Sequence, residues 1–241
     1  QKKRFDTDGK YIEEDGFILG TRGQFPIKVK ENGVNFVIYL NEGAMVGVFL
    51  DQREVRKAIR DKYSKGKTVL NTFSYTGAFS VFAAKGGAKK TTSVDLANRS
   101  RKKTVEQFEI NNINADEQDI IVEDVFKYFK YAVKKQLLFD LVILDPPSFA
   151  KSKKHTFSAS KDYTNLLKEA ILITVKSGII IASTNCSSFD MKRFKEFVDK
   201  AFHETNTEYN IVEEFYLPTD FKINTKYKEN NYLKVLFIKK S

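Results

Sequence analysis

The chain has no tryptophan, a single cysteine, two histidines and four prolines in 241 residues. One cysteine, Cys186, excludes an internal disulfide and fits a reducing compartment, so the cytoplasm is the expected location. No apolar run approaches the ~20 residues that a membrane-spanning helix needs. The opening Gln1-Lys2-Lys3-Arg4 is basic but is followed by no apolar stretch, so it is not read as a secretory signal. An initiating methionine is also missing, which suits a piece of a longer chain. There is no internal repeat and no low-complexity linker. His155 and His203 fall away from strand ends, so neither is taken as a catalytic base, and no metal site is read.

Basic charge is in excess: 41 Lys and Arg against 31 Asp and Glu give a formal charge of +10. Such a balance favours an anionic partner such as nucleic acid, though it equally describes a Lys-rich protein kept soluble. Hydrophobic content of 41% in alternating segments reads as a globular domain.

Phe25–Lys30 and Val34–Leu40 read as two strands around Asn32-Gly33, a strong hairpin signal because both residues tolerate positive φ. They make residues 1–50 a small β-rich unit. A helix opens at Asp51, where Asp51 and Glu54 have capping-box spacing. It carries Val55, Ile59 and Tyr63 on one face and ends at Gly66. From there strands and helices alternate. The strands are Thr68–Phe73, Thr91–Asp95, Ile120–Val122, Phe139–Asp145 and Ile179–Asn185. The helices are Ala78–Ala84, Asn98–Asn112, Val125–Gln136, Asp162–Val175 and Met191–Phe202. Tyr209–Leu217 and Leu233–Lys239 close the chain as a pair of strands able to run antiparallel. Continuously apolar runs such as Phe139–Asp145 are expected of parallel strands covered on both faces. The series predicts an α/β fold, a doubly wound, mainly parallel sheet of seven strands over residues 51–241.

Ligands of open α/β sheets collect at the carboxyl ends of strands, and four segments sit there. Phe73-Ser74-Tyr75-Thr76-Gly77 follows the first strand of the series. A dinucleotide loop would need several glycines to approach pyrophosphate, and only Gly77 is present. This argues against NAD and leaves S-adenosylmethionine (SAM), whose methionine half has no phosphate. Lys65-Gly66-Lys67-Thr68 fails as a phosphate loop because Asp61 stands where the upstream glycine belongs. Asp95, 18 residues after Gly77, is where a carboxylate holds a pair of ribose hydroxyls. Asp124 follows the third strand and is placed to accept from an adenine amino group. Asp145-Pro146-Pro147-Ser148-Phe149 ends the fourth. Its prolines remove two donors and stiffen the turn, freeing the Asp145 carboxylate and nearby carbonyls to face a ligand. Cys186 follows the fifth strand among polar residues. Neighbouring strands lie about 4.8 Å apart, so Asp145 and Cys186 should face one crevice. Each segment alone is also compatible with an ordinary turn or cap, and a lone cysteine with a small buried hydrophobe.

Taken together, Gly47-Val48-Phe49-Leu50-Asp51-Gln52-Arg53, the Tyr75-Thr76-Gly77 loop, Asp145-Pro146-Pro147-Ser148-Phe149 and Asn185-Cys186-Ser187 resemble a known family. It is that of bacterial class I SAM-dependent methyltransferases acting on large-subunit ribosomal RNA, similar to the cytosine-5 type. The match runs from about Asn32 to the C-terminus. The resemblance implies a Rossmann-like methyltransferase sheet with SAM held among Gln52, Arg53, Phe73, Ser74, Tyr75, Thr76, Gly77, Asp95, Asn111, Asp124, Asp145 and Pro146. It implies Cys186 as nucleophile, with Asp145 holding the target base. RNA is the implied partner, with Pro147 and Phe149 toward the base and Lys151, Lys153 and Lys154 toward phosphate. A PUA domain normally precedes the hairpin unit in that family and is absent from this chain. Where the family carries Thr-Cys, this sequence has Asn185-Cys186. Two other readings stand beside this one. A D-P-P turn also serves methylation of exocyclic amines, although Ser148 replaces the usual aromatic. A SAM-binding RNA adaptor without turnover is the second. The oligomeric state is left open, a homodimer included.

Overall fold

A computed structural model of the chain describes residues 23–40, 47–151, 156–224, 226, 227 and 230–241. The hairpin is β1 (Ile27–Glu31) and β2 (Val34–Ile38). Asn32 and Gly33 have φ of 48° and 83°, the pair of positive values that a two-residue turn needs to match strand twist, and Glu31 pairs with Val34. A 3-10 turn, Leu50–Gln52, leads into α1 (Arg53–Ala58), which continues as a wider turn over Ile59–Tyr63. The Asp51 side chain caps nothing here; it accepts instead from the Tyr232 hydroxyl at 3.0 Å.

The remaining elements are β3 (Thr68–Thr72), α2 (Ala78–Lys85), β4 (Lys90–Asp95), α3 (Asn98–Glu109), β5 (Asp119–Val122), α4 (Val125–Lys134) and β6 (Phe139–Leu144). Then come β7 (Phe149–Lys151), β8 (Thr156–Ser158), α5 (Ala159–Leu172), β9 (Thr174–Thr184), α6 (Met191–Glu204), β10 (Tyr209–Phe215) and β11 (Lys234–Lys240). Seven strands form one sheet in the order β10-β11-β9-β6-β3-β4-β5. From β9 to β5 all neighbours are parallel; β11 runs antiparallel to both β9 and β10. Winding reverses between β3 and β6, so a crevice opens there at the carboxyl ends.

Alternation along the central strands sorts the core into two layers. Val69, Leu141, Ile143, Ile181 and Phe237 point to the side of Val55, Ile59 and Phe79 on α1 and α2. Leu70, Val142, Leu144, Ile180 and Leu236 point to α4, α5 and α6, against Phe129, Leu167, Phe194 and Val198. Each such side chain contributes about 1.5–3 kcal/mol on full burial. The hairpin joins this body through Val34 and Phe36, which pack on Val81, Phe82 and Phe108 of α2 and α3.

Two stretches differ from the sequence expectation. α5 begins three residues before Asp162 and stops at Leu172, not Val175. Thr174 ends it, turning its hydroxyl back onto the Ala170 carbonyl at 2.7 Å and pairing with Phe139 as the first residue of β9. The segment after the prolines, read as a basic loop, carries a small ladder in which Phe149 pairs with Ser158 and Lys151 with Thr156. Three residues a strand is too short for a period to register in sequence. Lys153 and Lys154 lie outside the described residues. Among the described residues no helix is long and apolar enough to cross a membrane. None forms a group of three or more His, Cys, Asp or Glu that could hold a metal.

Candidate active site

A cavity of about 580 Å³ opens at the carboxyl ends of β3, β4, β5 and β6, roofed by the segment after the hairpin. The loop leaving β3 forms its floor. Phe73, Tyr75 and Gly77 all have positive φ, at 54°, 52° and 77°, so the chain coils tightly. Gly77 itself is not in the wall. It is the residue before α2, and a Cβ there would stand 2.5 Å from Thr104 Cγ2, so no other residue fits. The loop's amides turn inward: Ser74 N–H donates to Val94 O at 3.1 Å and Gly77 N–H to Ser74 O at 2.7 Å. Tyr75 N–H donates to Asp95 Oδ2 at 2.8 Å. A loop with its donors engaged this way cannot cradle pyrophosphate. Two further bonds latch it to the roof, Thr76 Oγ1 to the Gly47 carbonyl at 2.6 Å and Gly47 N–H to the Tyr75 hydroxyl at 3.0 Å.

Asp95 ends β4 with both oxygens anchored, the second by Ala97 N–H at 2.9 Å. Each retains a free lone pair, which is what two vicinal hydroxyls require. Asp124 caps α4, accepting from Lys127 N–H at 3.1 Å, and borders the cavity beside Phe126. On the other side of β3, Asp145 ends β6. Gln52 reaches it from the 3-10 turn, with Nε2 at 2.9 Å from both carboxylate oxygens. The Gln52 carbonyl oxygen in turn accepts from Ser183 Oγ at 3.2 Å. Burial pushes the Asp145 carboxyl up. The hydrogen bonds from Gln52 and Ser183 oppose this, the charge of Asp51 adds to it and Arg56 opposes it.

That direction sets a pH dependence. A carboxyl raised above its unfolded value favours the fold below that value, and the contribution is lost as pH rises through the folded pKa. Asp145→Asn, which cannot ionise, should therefore gain stability relative to the parent as pH rises from about 4 to about 8. Urea denaturation across that range measures it, and a pH-independent difference would contradict the buried carboxylate.

Arg56 also lines the cavity, and sequence reasoning missed it. Only 2% of its side chain is exposed, and it forms a bidentate pair with Glu31, both contacts at 2.8 Å. A third bond goes to the Phe49 carbonyl, also at 2.8 Å. A basic residue at a helical position gives no sign of burial until a distant carboxylate is known. Asn185 joins the wall as well, its Oδ1 accepting from Ser148 Oγ at 2.6 Å.

Of the residues read from sequence, the structure brings Gln52, Phe73, Ser74, Tyr75, Thr76, Asp95, Asp124, Asp145, Pro146 and Pro147 to one cavity. It turns others away. Arg53 points outward to pair with Asp220 and Glu54, because it is one residue beyond Gln52 on a helical turn. Asn111 stands outside the wall, at the end of α3. Its Oδ1 accepts from Asn35 N–H at 2.9 Å and its Nδ2 donates to Asn35 O at 2.7 Å, fastening β2 to the end of α3. Phe149 is 62% exposed and stands outside the wall. Lys151 is in β7. Cys186 is buried, next in the chain to Asn185 but not itself in the wall. Its Sγ is 3.1 Å from Ser188 Oγ, and its carbonyl accepts from Lys234 Nζ at 2.8 Å.

The wall thus carries four carboxylates, Asp51, Asp95, Asp124 and Asp145. Against them stand Arg56, neutralised by Glu31, and the bases Arg99 and Lys103. SAM carries a sulfonium and an ammonium against one carboxylate, so an acid-rich cavity without a phosphate cradle fits it, whereas a pyrophosphate would be repelled. Sheet order, crevice and acid placement define a Rossmann-like methyltransferase. The chain belongs to the S-adenosylmethionine-dependent methyltransferase family, whose sequence model matches residues 19–223. The Bacillus subtilis protein YwbD, provisionally named a ribosomal RNA large subunit methyltransferase, is 65% identical over 100% of this chain and 61% of its own length. Ribosomal RNA large subunit methyltransferase I of Aeromonas salmonicida is 33% identical over 94% of this chain and 57% of its own. The chain thus spans about three fifths of these relatives. A crystal structure of SMU.776, provisionally a methyltransferase and complexed with S-adenosylhomocysteine (SAH), superposes with a TM-score of 0.87. It is 44% identical over 92% of this chain and 58% of that one. The cofactor is S-adenosylmethionine.

Proposed function

We propose that this chain is the catalytic part of a large-subunit ribosomal RNA methyltransferase that forms 5-methylcytidine, with Cys186 as nucleophile. The observation that carries the reading is the junction of β6 and β9. Leu144 pairs with Ala182 in parallel register, so the Asp145-Pro146-Pro147 turn and the Asn185-Cys186 loop leave the sheet side by side at the rim of the cofactor cavity. The relatives named for large-subunit ribosomal RNA and the +10 charge supply the substrate class. Such a substrate implies the cytoplasm.

Carbon 5 of cytosine is a poor nucleophile. The Cys186 thiolate adds to carbon 6, forming a C–S bond and making carbon 5 electron-rich. Bound SAM supplies an electrophilic methyl group. Asp145, buried and held by Gln52, orients the base through N3 and the amino edge. Once carbon 5 has taken that methyl group and SAH is left, a base removes the carbon 5 proton, its electrons return to the ring, the C–S bond breaks, and the thiolate is regenerated. The target base must leave its stack to reach this crevice. Phe149, exposed at its edge, offers a stacking surface, and Lys151, Lys153 and Lys154, which come next in the sequence, supply the positive charge for phosphate. In this reading residues 1–50 form a small domain beside the catalytic 51–241. Methylation of an exocyclic amine is disfavoured because the residue after the prolines, Ser148, is engaged with Asn185 and presents no aromatic face.

Mass mapping of nucleosides in ribosomal RNA from cells lacking the protein tests the reading. One 5-methylcytidine of the large subunit should disappear and return when purified protein and SAM are added. An unchanged 5-methylcytidine map, or a lost N-methyl nucleoside, overturns it.

A further inference from the structure

Lys234 opens β11 opposite Thr184, the last residue of β9. Only 3% of it is exposed. Its ammonium donates to the Cys186 carbonyl at 2.8 Å and to the Tyr232 carbonyl at 2.7 Å. An ammonium has three donors, and the third meets no oxygen among the described residues. The nearest ring, Phe189, has its centre 5.2 Å away.

A buried cation held by neutral carbonyls alone is costly, and burial pulls this ammonium below the usual lysine value. Two groups oppose the pull, Cys186 and Asp190. Asp190 is exposed, and its carboxylate caps α6 by accepting from Arg193 N–H at 2.9 Å. The Cys186 side chain is buried, on the residue whose carbonyl Lys234 already grips. Other titratable groups at these strand ends are engaged elsewhere. Tyr163 of α5 donates to the Ser183 carbonyl at 2.6 Å, and burial pushes its phenol far up. Asp145, after β6, is held by Gln52. Ser188 Oγ, 3.1 Å from Cys186 Sγ, adds a neutral donor but no charge.

We propose that Lys234 is the counter-charge of the Cys186 thiolate, a positioning residue that keeps the sulfur ionised while gripping its loop by the backbone. The proposal rests on Cys186 being the nucleophile. The thiolate is consumed when the C–S bond forms and returns when that bond breaks, so a fixed cation serves the first step and the last. The far end of β11 offers an internal comparison. Lys240 Nζ also grips two carbonyls, those of Ile171 and Thr174, at 2.8 and 2.7 Å. Burial lowers that ammonium with no anion opposing it, so its clamp is structural.

With one cysteine in the chain, iodoacetamide alkylation followed by mass spectrometry across pH reads Cys186 alone. The parent should reach half its maximal rate at lower pH than a free thiol, ~8.5. Lys234→Gln keeps a donor for the carbonyls and removes the charge. It should slow alkylation at pH 7 by about tenfold. It should also move the pH profile of kcat to the alkaline side, with KM for RNA unchanged. Lys234→Arg should recover most of the rate. Lys240→Gln, which loses the same kind of clamp, should match the parent in both profiles. An unmoved alkylation profile in Lys234→Gln overturns the proposal, as does equal slowing by Lys234→Gln and Lys240→Gln. A parent profile centred at or above the free-thiol value does so too, even where the glutamine variant fails to fold. Absence of a 5-fluorocytidine adduct in the parent would instead overturn the nucleophile reading beneath it, a failure the alkylation profiles do not share.

Discussion

Cys186→Ser should lose methyl transfer by about a thousandfold or more while keeping its fold and its affinity for SAH. The loss follows from chemistry: a serine hydroxyl is scarcely ionised at neutral pH, whereas a thiol starts near pKa ~8.5, and carbon 5 has no other source of activation. Retention of the fold follows from the structure. The side chain is small and 9% exposed, its neighbour Ser188 Oγ can bond a hydroxyl as readily as a thiol, and Lys234 holds the loop through the backbone carbonyl. SAH affinity should hold because Cys186 is not part of the cavity wall. RNA carrying 5-fluorocytidine should trap the parent chain as an adduct stable on denaturing gels, since fluorine cannot leave as a proton does; the serine variant should form none. With one cysteine in the chain, any thiol adduct is at Cys186. Normal methylation by the serine variant with no adduct in the parent would make the thiol structural.

Glu31→Ala should cost about 3–5 kcal/mol of stability, the typical penalty for stranding one member of a buried ion pair. Side-chain exposure is 2% for Arg56 and 9% for Glu31, and after the substitution only the Phe49 carbonyl still accepts from the guanidinium. The cation lies over Phe79 and Phe82, 5.8 and 5.9 Å from the ring centres, so no water replaces the carboxylate cheaply. Replacing both partners by methionine should recover most of the loss, because the desolvation penalty goes with the charges. Urea denaturation measures both. A single-variant loss under about 1 kcal/mol would place the pair in solvent. SAH affinity should fall in Glu31→Ala as well, since Arg56 and Phe49 are part of the cavity wall and Glu31 ties the hairpin to it.

The alternation of apolar strands with helical periods, as in Val69-Leu70 and Leu141–Leu144, determined the α/β class, because each element must hide one face or both and its period records which. The strand ends could be read in the same way. Phe73–Gly77, Asp95, Asp124 and Asp145 stand where apolar runs stop, and parallel strands bring all their carboxyl ends to one edge. The missing glycines excluded a phosphate cradle before any coordinate did. What only the tertiary structure decided are contacts between residues far apart in the chain and the direction in which each side chain leaves its backbone. Asp51, Gln52 and Arg53 are consecutive, yet they bond to Tyr232, Asp145 and Asp220 respectively, because a helical turn rotates each successive residue by about 100–120°. Asn111 matches a family segment but clamps β2, and Arg56 carries no sequence mark of its partner Glu31, 25 residues earlier. Burial of a charge is a property of what surrounds an atom, and the surroundings are assembled only when the chain closes on itself.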